Sequence, residues 1–115
     1  MKSIFTLIFV LLFSSPSFAY FIEGLSYDPD KKTIYVDIIF EGGKKEHIFT
    51  PLFDPCFYNE NPNGLAVRLA DSGWDDTGKE LMGRRIPIDL NMQTHCLPAN
   101  VTVYVGLEFD TIYIE

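Results

Sequence analysis

The sequence predicts an all-β fold, an antiparallel two-sheet sandwich of about seven short strands. Three observations lead there. Apolar residues recur at every second position in several windows, no window sustains a helical period, and turn-forming residues punctuate the chain at short intervals.

The first nineteen residues, MKSIFTLIFVLLFSSPSFA, read as a signal peptide rather than a strand. Lys2 supplies a positive start, Ile4 to Phe13 an apolar run, and Ser17 and Ala19 the small residues at −3 and −1 of a cleavage site. The run is too short for a hydrocarbon core that takes about twenty residues to cross. The expected mature chain, residues 20–115, is exported (secreted or periplasmic), without a membrane span, and one domain long.

The first strand is expected over 21–27 and the second over TIYVDIIF (33–40), with Pro29 of DPDKK placed to start the turn between them. In the second, Ile34, Val36, Ile38 and Phe40 share one face against Thr33, Tyr35 and Asp37. Gly42 and Gly43 suit a hairpin into HIFTPLF (47–53), so that 21–53 would form a three-stranded meander. A turn-rich loop with Asn-Pro and Asn-Gly spans 55–64, and Leu65, Val67 and Leu69 then alternate in a fourth strand over 64–71. A long connection follows over 71–83, with one possible helical turn in TGKELMG (77–83) closed by Gly83. Ile86, Ile88 and Leu90 mark a fifth strand (84–90), where Pro87, which has no N–H for a ladder, implies an edge or a bulge. NVTVYVGLEFD (100–110) alternates without a break, placing Val101, Val103, Val105, Leu107 and Phe109 on the core face; TIYIE (111–115) completes the set.

Cys56 and Cys96 allow one intramolecular pairing, and in an oxidising compartment a disulfide is the expected state. Trp74 lies between the cysteines, as the tryptophan of an immunoglobulin domain does. Thr94, however, stands where such a domain has its tyrosine, and Cys56 sits in a loop-like context. The resemblance is to an immunoglobulin-like architecture and not to a specific family.

Removing residues 1–19 takes away Lys2 and no carboxylate, so a formal charge of −7 becomes −8 over 96 residues. That sign argues against nucleic acid and anionic membrane surfaces as partners. No nucleophile elbow, zinc helix or phosphate-binding glycine loop is present, so no catalytic residue and no cofactor is assigned. His47 and His95 have no ligand spacing.

The remaining chemistry concentrates in ADSGWDDTGKE (70–80). Asp71, Asp75, Asp76 and Glu80 are oxygen donors that calcium could use, but their spacing does not match an EF-hand; Asp28 and Asp30 form a smaller cluster. Trp74 reads either as an exposed binding anchor or as a cap folded onto the sandwich. Tyr20, Tyr27, Tyr35, Tyr58, Tyr104 and Tyr113 are further aromatic candidates, with Tyr35 and Tyr104 on outward faces where they could form a strip. Asn100-Val101-Thr102 is a glycosylation sequon in a eukaryotic secretory pathway.

The function expected is that of a secreted, non-enzymatic binding protein: an inhibitor, adaptor or host-interaction module with a protein or glycan partner. Loops 55–64 and 71–83 would carry it through Trp74, Tyr58, Asp75 and Asp76. A calcium-stabilised carbohydrate-binding domain and a small secreted hydrolase are the alternatives.

Overall fold

The computed structural model describes residues 20–59 and 61–115; the expected signal peptide lies outside these residues. Seven strands build two sheets. In chain order they are β1 (Tyr20–Asp28), β2 (Thr33–Gly42), β3 (Phe49–Phe53), β4 (Asn63–Asp71), β5 (Glu80–Asp89), β6 (Ala99–Val105) and β7 (Glu108–Ile114). One sheet has the order β1-β2-β5 and the other β3-β4-β6-β7. Among the described residues no helix is long and apolar enough to cross a membrane.

Period-two patterning decides which side chains meet. Ile34, Val36, Ile38 and Phe40 of β2 and Ile86 and Ile88 of β5 are buried from one sheet. Leu65, Val67 and Leu69 of β4 and Ala99, Val101, Val103 and Val105 of β6 are buried from the other. Together they make one apolar cluster, as expected where two half-wet sheets stack face to face. β5 is an edge strand, which explains how it tolerates Pro87.

Three expectations need correction. The 21–53 meander is not formed: only β1 and β2 pair as a hairpin, and after Gly43 the chain crosses to start β3 in the opposite sheet. Residues 80–83, expected in a loop or helical turn, belong to β5, which pairs with β2 from Glu80↔Gly42 to Asp89↔Thr33. The unbroken alternation over 100–110 conceals a two-residue turn at Gly106 and Leu107, between the paired residues Val105 and Glu108. Gly106 has φ +57°, the positive value required at the first central position of a II′ hairpin turn.

That turn reverses the inward parity. Odd-numbered residues face inward on β6, while antiparallel pairs such as Val101↔Ile112 and Ala99↔Ile114 make the even-numbered residues face inward on β7. Leu107 at the turn and Phe109 on β7, both expected in the core, are therefore exposed, and Ile114 is buried instead.

One strand pair is parallel. β4 and β6 run side by side from Asn63↔Ala99 to Arg68↔Tyr104, after the chain has crossed to the other sheet for β5 and returned through a short 3-10 helix, Asn91–Cys96. Cys56 and Cys96 stand just before these two parallel strands and are joined by a disulfide with a Cα–Cα distance of 5.6 Å.

The open side between edge strands β3 and β5 is covered by Arg84. Its guanidinium lies over the rings of Phe40 and Phe49, 5.7 and 5.9 Å from their centroids, and donates to the His47 carbonyl. An inward-turned charge of this kind discourages edge-to-edge pairing with a second copy.

Three stability measurements follow. Ile38→Ala should cost ~2–5 kcal/mol in urea denaturation because it opens a cavity in the core. Leu107→Ala should cost under ~0.5 kcal/mol, the usual range for an exposed position, although both residues belong to apolar alternations in the sequence. Replacing Cys56 and Cys96 by serine should lower stability by ~4 kcal/mol through the freed loop entropy of the unfolded chain.

Candidate functional site

The site is built where β4 ends and the 72–79 loop begins. His47 precedes β3 and points inward with its side chain almost fully buried. Its Nδ1 lies 2.7 Å from Asp71 Oδ2 and its Nε2 lies 2.8 Å from Asp76 Oδ2. With both carboxylates ionised, each ring nitrogen carries a proton, so His47 is an imidazolium held between two anions. The ring also packs on Phe40, with centroids 4.7 Å apart.

Each anion is further satisfied. Asp71 accepts the Tyr20 hydroxyl, and its second oxygen accepts the Gly73 N–H at 2.8 Å. Asp76 accepts the backbone N–H groups of Lys44, Lys45 and Gly78 as well as His47. Among the described residues no buried side-chain nitrogen or oxygen lacks a partner. Glycine makes the approach possible: a Cβ on Gly73 would stand 2.7 Å from both the Glu46 carbonyl and His47 Nδ1.

Titration reflects these contacts. For His47, burial lowers the pKa, but the hydrogen bonds and charges of Asp71 and Asp76 outweigh it and hold the ring above its ordinary 6.5. For Asp76, burial raises the pKa, yet the donors from Gly78, His47, Lys45 and Lys44 prevail and keep it well below 3.8. Burial pushes the Tyr20 hydroxyl up, reinforced by its bond to Asp71.

Both ring nitrogens of His47 face carboxylates, so neither is free to take a proton from a substrate. The cluster acts as a clamp. It ties the segment before β3, the end of β4 and the 72–79 loop to Tyr20 at the start of β1.

Trp74 projects from the clamped loop and is 72% exposed, so it is not a cap on the sandwich. Beside it opens a cavity of about 520 Å³, lined by Tyr20, Thr77, Gly106 and Leu107 with Trp74, Asp75 and Asp76. Leu107 is 68% exposed, which gives this end of the molecule two large apolar side chains facing solvent.

The expected site residues separate. Trp74, Asp75 and Asp76 share one loop, but Asp76 is buried and serves the clamp rather than a binding rim. Asp75 is exposed and ion-paired with Lys45 at 2.7 Å, which lowers its pKa. Tyr58, also exposed, lies at the other end of β4 beside the disulfide. β4 spans nine residues, so the 55–64 and 71–83 loops are separated by roughly 25 Å and do not form one surface. The disulfide consequently constrains the Tyr58 end, while the histidine clamp constrains the Trp74 end.

Tyr35 and Tyr104 belong to different sheets and form no common strip; Tyr35 instead lies under Arg85, which also pairs with Asp37. His95 is exposed in the 3-10 helix. The carboxylates considered for calcium point elsewhere: Asp71 and Asp76 toward His47, Asp75 toward Lys45, and Glu80 toward Gly43. Among the described residues no three His, Cys, Asp or Glu side chains are grouped so as to hold a metal ion. Asp28 folds over its own turn, accepting the Asp30 N–H.

Sequence reasoning missed the clamp. Its members are 5 to 29 residues apart along the chain, and a lone histidine carries no spacing signal. The one legible hint was the coincidence of a histidine at a strand start with carboxylates on both sides of a glycine-containing turn. Comparison with protein-family models, curated proteins and solved structures gave no match to this chain.

The signs of the two shifts define a pH test. His47 has a folded pKa above its unfolded value, so its stabilisation is complete below 6.5 and is lost as pH rises through the folded value. Asp76 is opposite: its stabilisation is complete above 3.8 and is lost as pH falls through its depressed folded value. His47→Gln should therefore destabilise the protein by about 3 kcal/mol or more between pH 3.8 and 6.5, because it leaves two buried carboxylates without their cation. Urea midpoints measured against pH should show the gap from the unsubstituted protein narrowing on the alkaline side.

Proposed function

We propose that the protein is an exported, non-enzymatic binding protein that engages its partner through the Trp74 end of the sandwich. One observation carries this reading: a tryptophan 72% exposed on a loop whose base is fixed by a buried ion cluster. An exposed indole normally has rotamer and loop freedom to lose on binding, and the clamp removes part of that loss beforehand. Trp74 and Leu107 supply the apolar anchor, the cavity between them receives a side chain of the partner, and Asp75 with Lys45 forms a polar rim. Export follows from the leader-like first nineteen residues and accords with the disulfide.

Site-specific photo-crosslinking tests the assignment. A photoreactive residue at position 74, in protein exported by its native cell, should capture a discrete adduct, whereas the same residue at position 35 should not. Trp74→Ala should weaken binding to the captured partner by more than ~2 kcal/mol and leave the Tm nearly unchanged. A large fall in Tm, or undiminished binding, would remove Trp74 from the recognition surface.

A further inference from the structure

The outward face of the β3-β4-β6-β7 sheet carries exposed rings that the core does not use. Three consecutive β6–β7 pairs face outward: Asn100↔Tyr113, Thr102↔Thr111 and Tyr104↔Phe109. Tyr104 and Phe109 are in contact, with centroids 5.7 Å apart, and the two threonine hydroxyls are 3.0 Å apart between the aromatic ends. Phe109 is 65% exposed and Tyr113 50%. Phe57, also exposed, stands over the same face from the β3–β4 connection.

Part of this face is a groove of about 320 Å³, floored by Ala66, Asn100 and Thr102 and walled by Asp54, Phe57 and Tyr104; Tyr113 lies outside its lining, on β7 opposite Asn100. The floor is low because Ala66 is small, and its polar groups are short and neutral. Asn100 offers an amide that both donates and accepts, and Thr102 a hydroxyl that does the same. Tyr104 and Tyr113 lie four residues apart in cross-strand register, roughly 13 Å along the sheet.

The backbone restricts what can bind. β4 and β6 are interior strands, paired on both sides, so the groove floor has no free ladder for an added peptide strand. Recognition must come from side chains alone. Charge restricts it further: Asp54 on the wall and Arg68, which pairs with Tyr104 across β4 and β6, are of opposite sign and favour a neutral ligand.

We propose that this groove, together with the exposed Tyr113 ring beside it on the same face, binds a neutral oligosaccharide. A sugar ring has an apolar C–H face and a rim of hydroxyls, which matches flat aromatic rings alternating with amide, hydroxyl and carboxylate groups. Tyr104 and Tyr113 stack on sugar rings that are not adjacent, with the intervening part of the chain lying over Asn100 and Thr102; Phe57 closes one side, and Asn100, Thr102 and Asp54 hydrogen-bond the hydroxyls. The site is separate from the Trp74 end and does not depend on it.

The test uses protein made in a host that leaves Asn100 unmodified, titrated with soluble hexasaccharides of β-1,4-glucan, β-1,3-glucan, chitin and mannan. At least one should shift the amide resonances of Asn100, Thr102, Tyr104 and Tyr113 together. Tyr104→Ala and Tyr113→Ala should each reduce its affinity by about tenfold or more, and Trp74→Ala should leave it unchanged. Absence of these shifts at millimolar sugar, shifts confined to the Trp74 loop, or full affinity in both tyrosine variants would overturn the proposal. The mapping on unsubstituted protein reads the site even where a variant folds poorly.

Discussion

One buried cation organises the Trp74 end of this molecule. His47 is placed between Asp71 and Asp76 with a hydrogen bond on each ring nitrogen, and neither anion is left with water as its main partner. Burying such charges is costly when they are unpaired; paired and fully bonded, they fix geometry. Two segments remote in sequence, the one before β3 and the one leaving β4, meet at this ring, and Tyr20 adds a third through its bond to Asp71. The 72–79 loop, with little apolar material of its own, thereby acquires a defined base.

The two ends of the sandwich are held by different chemistry. At one end a covalent link joins the segments leading into β4 and β6; at the other, electrostatic and hydrogen-bonded contacts hold the chain that leaves β4. The covalent link does not depend on pH in the acid and neutral range, whereas the ionic one does. Redox conditions therefore act on the Tyr58 end, and proton concentration acts on the Trp74 end.

The legible part of the fold was the part written in short-range pattern. Ile34 to Phe40, Leu65 to Leu69 and Val101 to Val105 alternate because each faces a dry core and a wet surface, and those strands lie where the alternation puts them. The cysteine pairing was equally legible, since two cysteines admit a single bridge. What alternation cannot express is connectivity. Gly106 interrupts a strand without interrupting its apolar rhythm, so Leu107 and Phe109 read as core and are exposed. The crossing of β3 into the second sheet is likewise absent from the pattern, because Gly42-Gly43 serves a hairpin and a crossover equally well. The clamp was barely legible for a related reason: a histidine paired through space with two distant aspartates looks, in sequence, much like any polar residue.

The parallel pairing of β4 with β6 has a consequence for how the domain can be taken apart. The chain between these neighbours is occupied in the opposite sheet, where it supplies β5 as the partner of β2. Each sheet is thus threaded through the other in sequence, and no single cut of the polypeptide yields one complete sheet on its own. The sandwich has no smaller autonomous half: whatever assembles it must gather distant stretches at once, and whatever loosens one layer unseats the other.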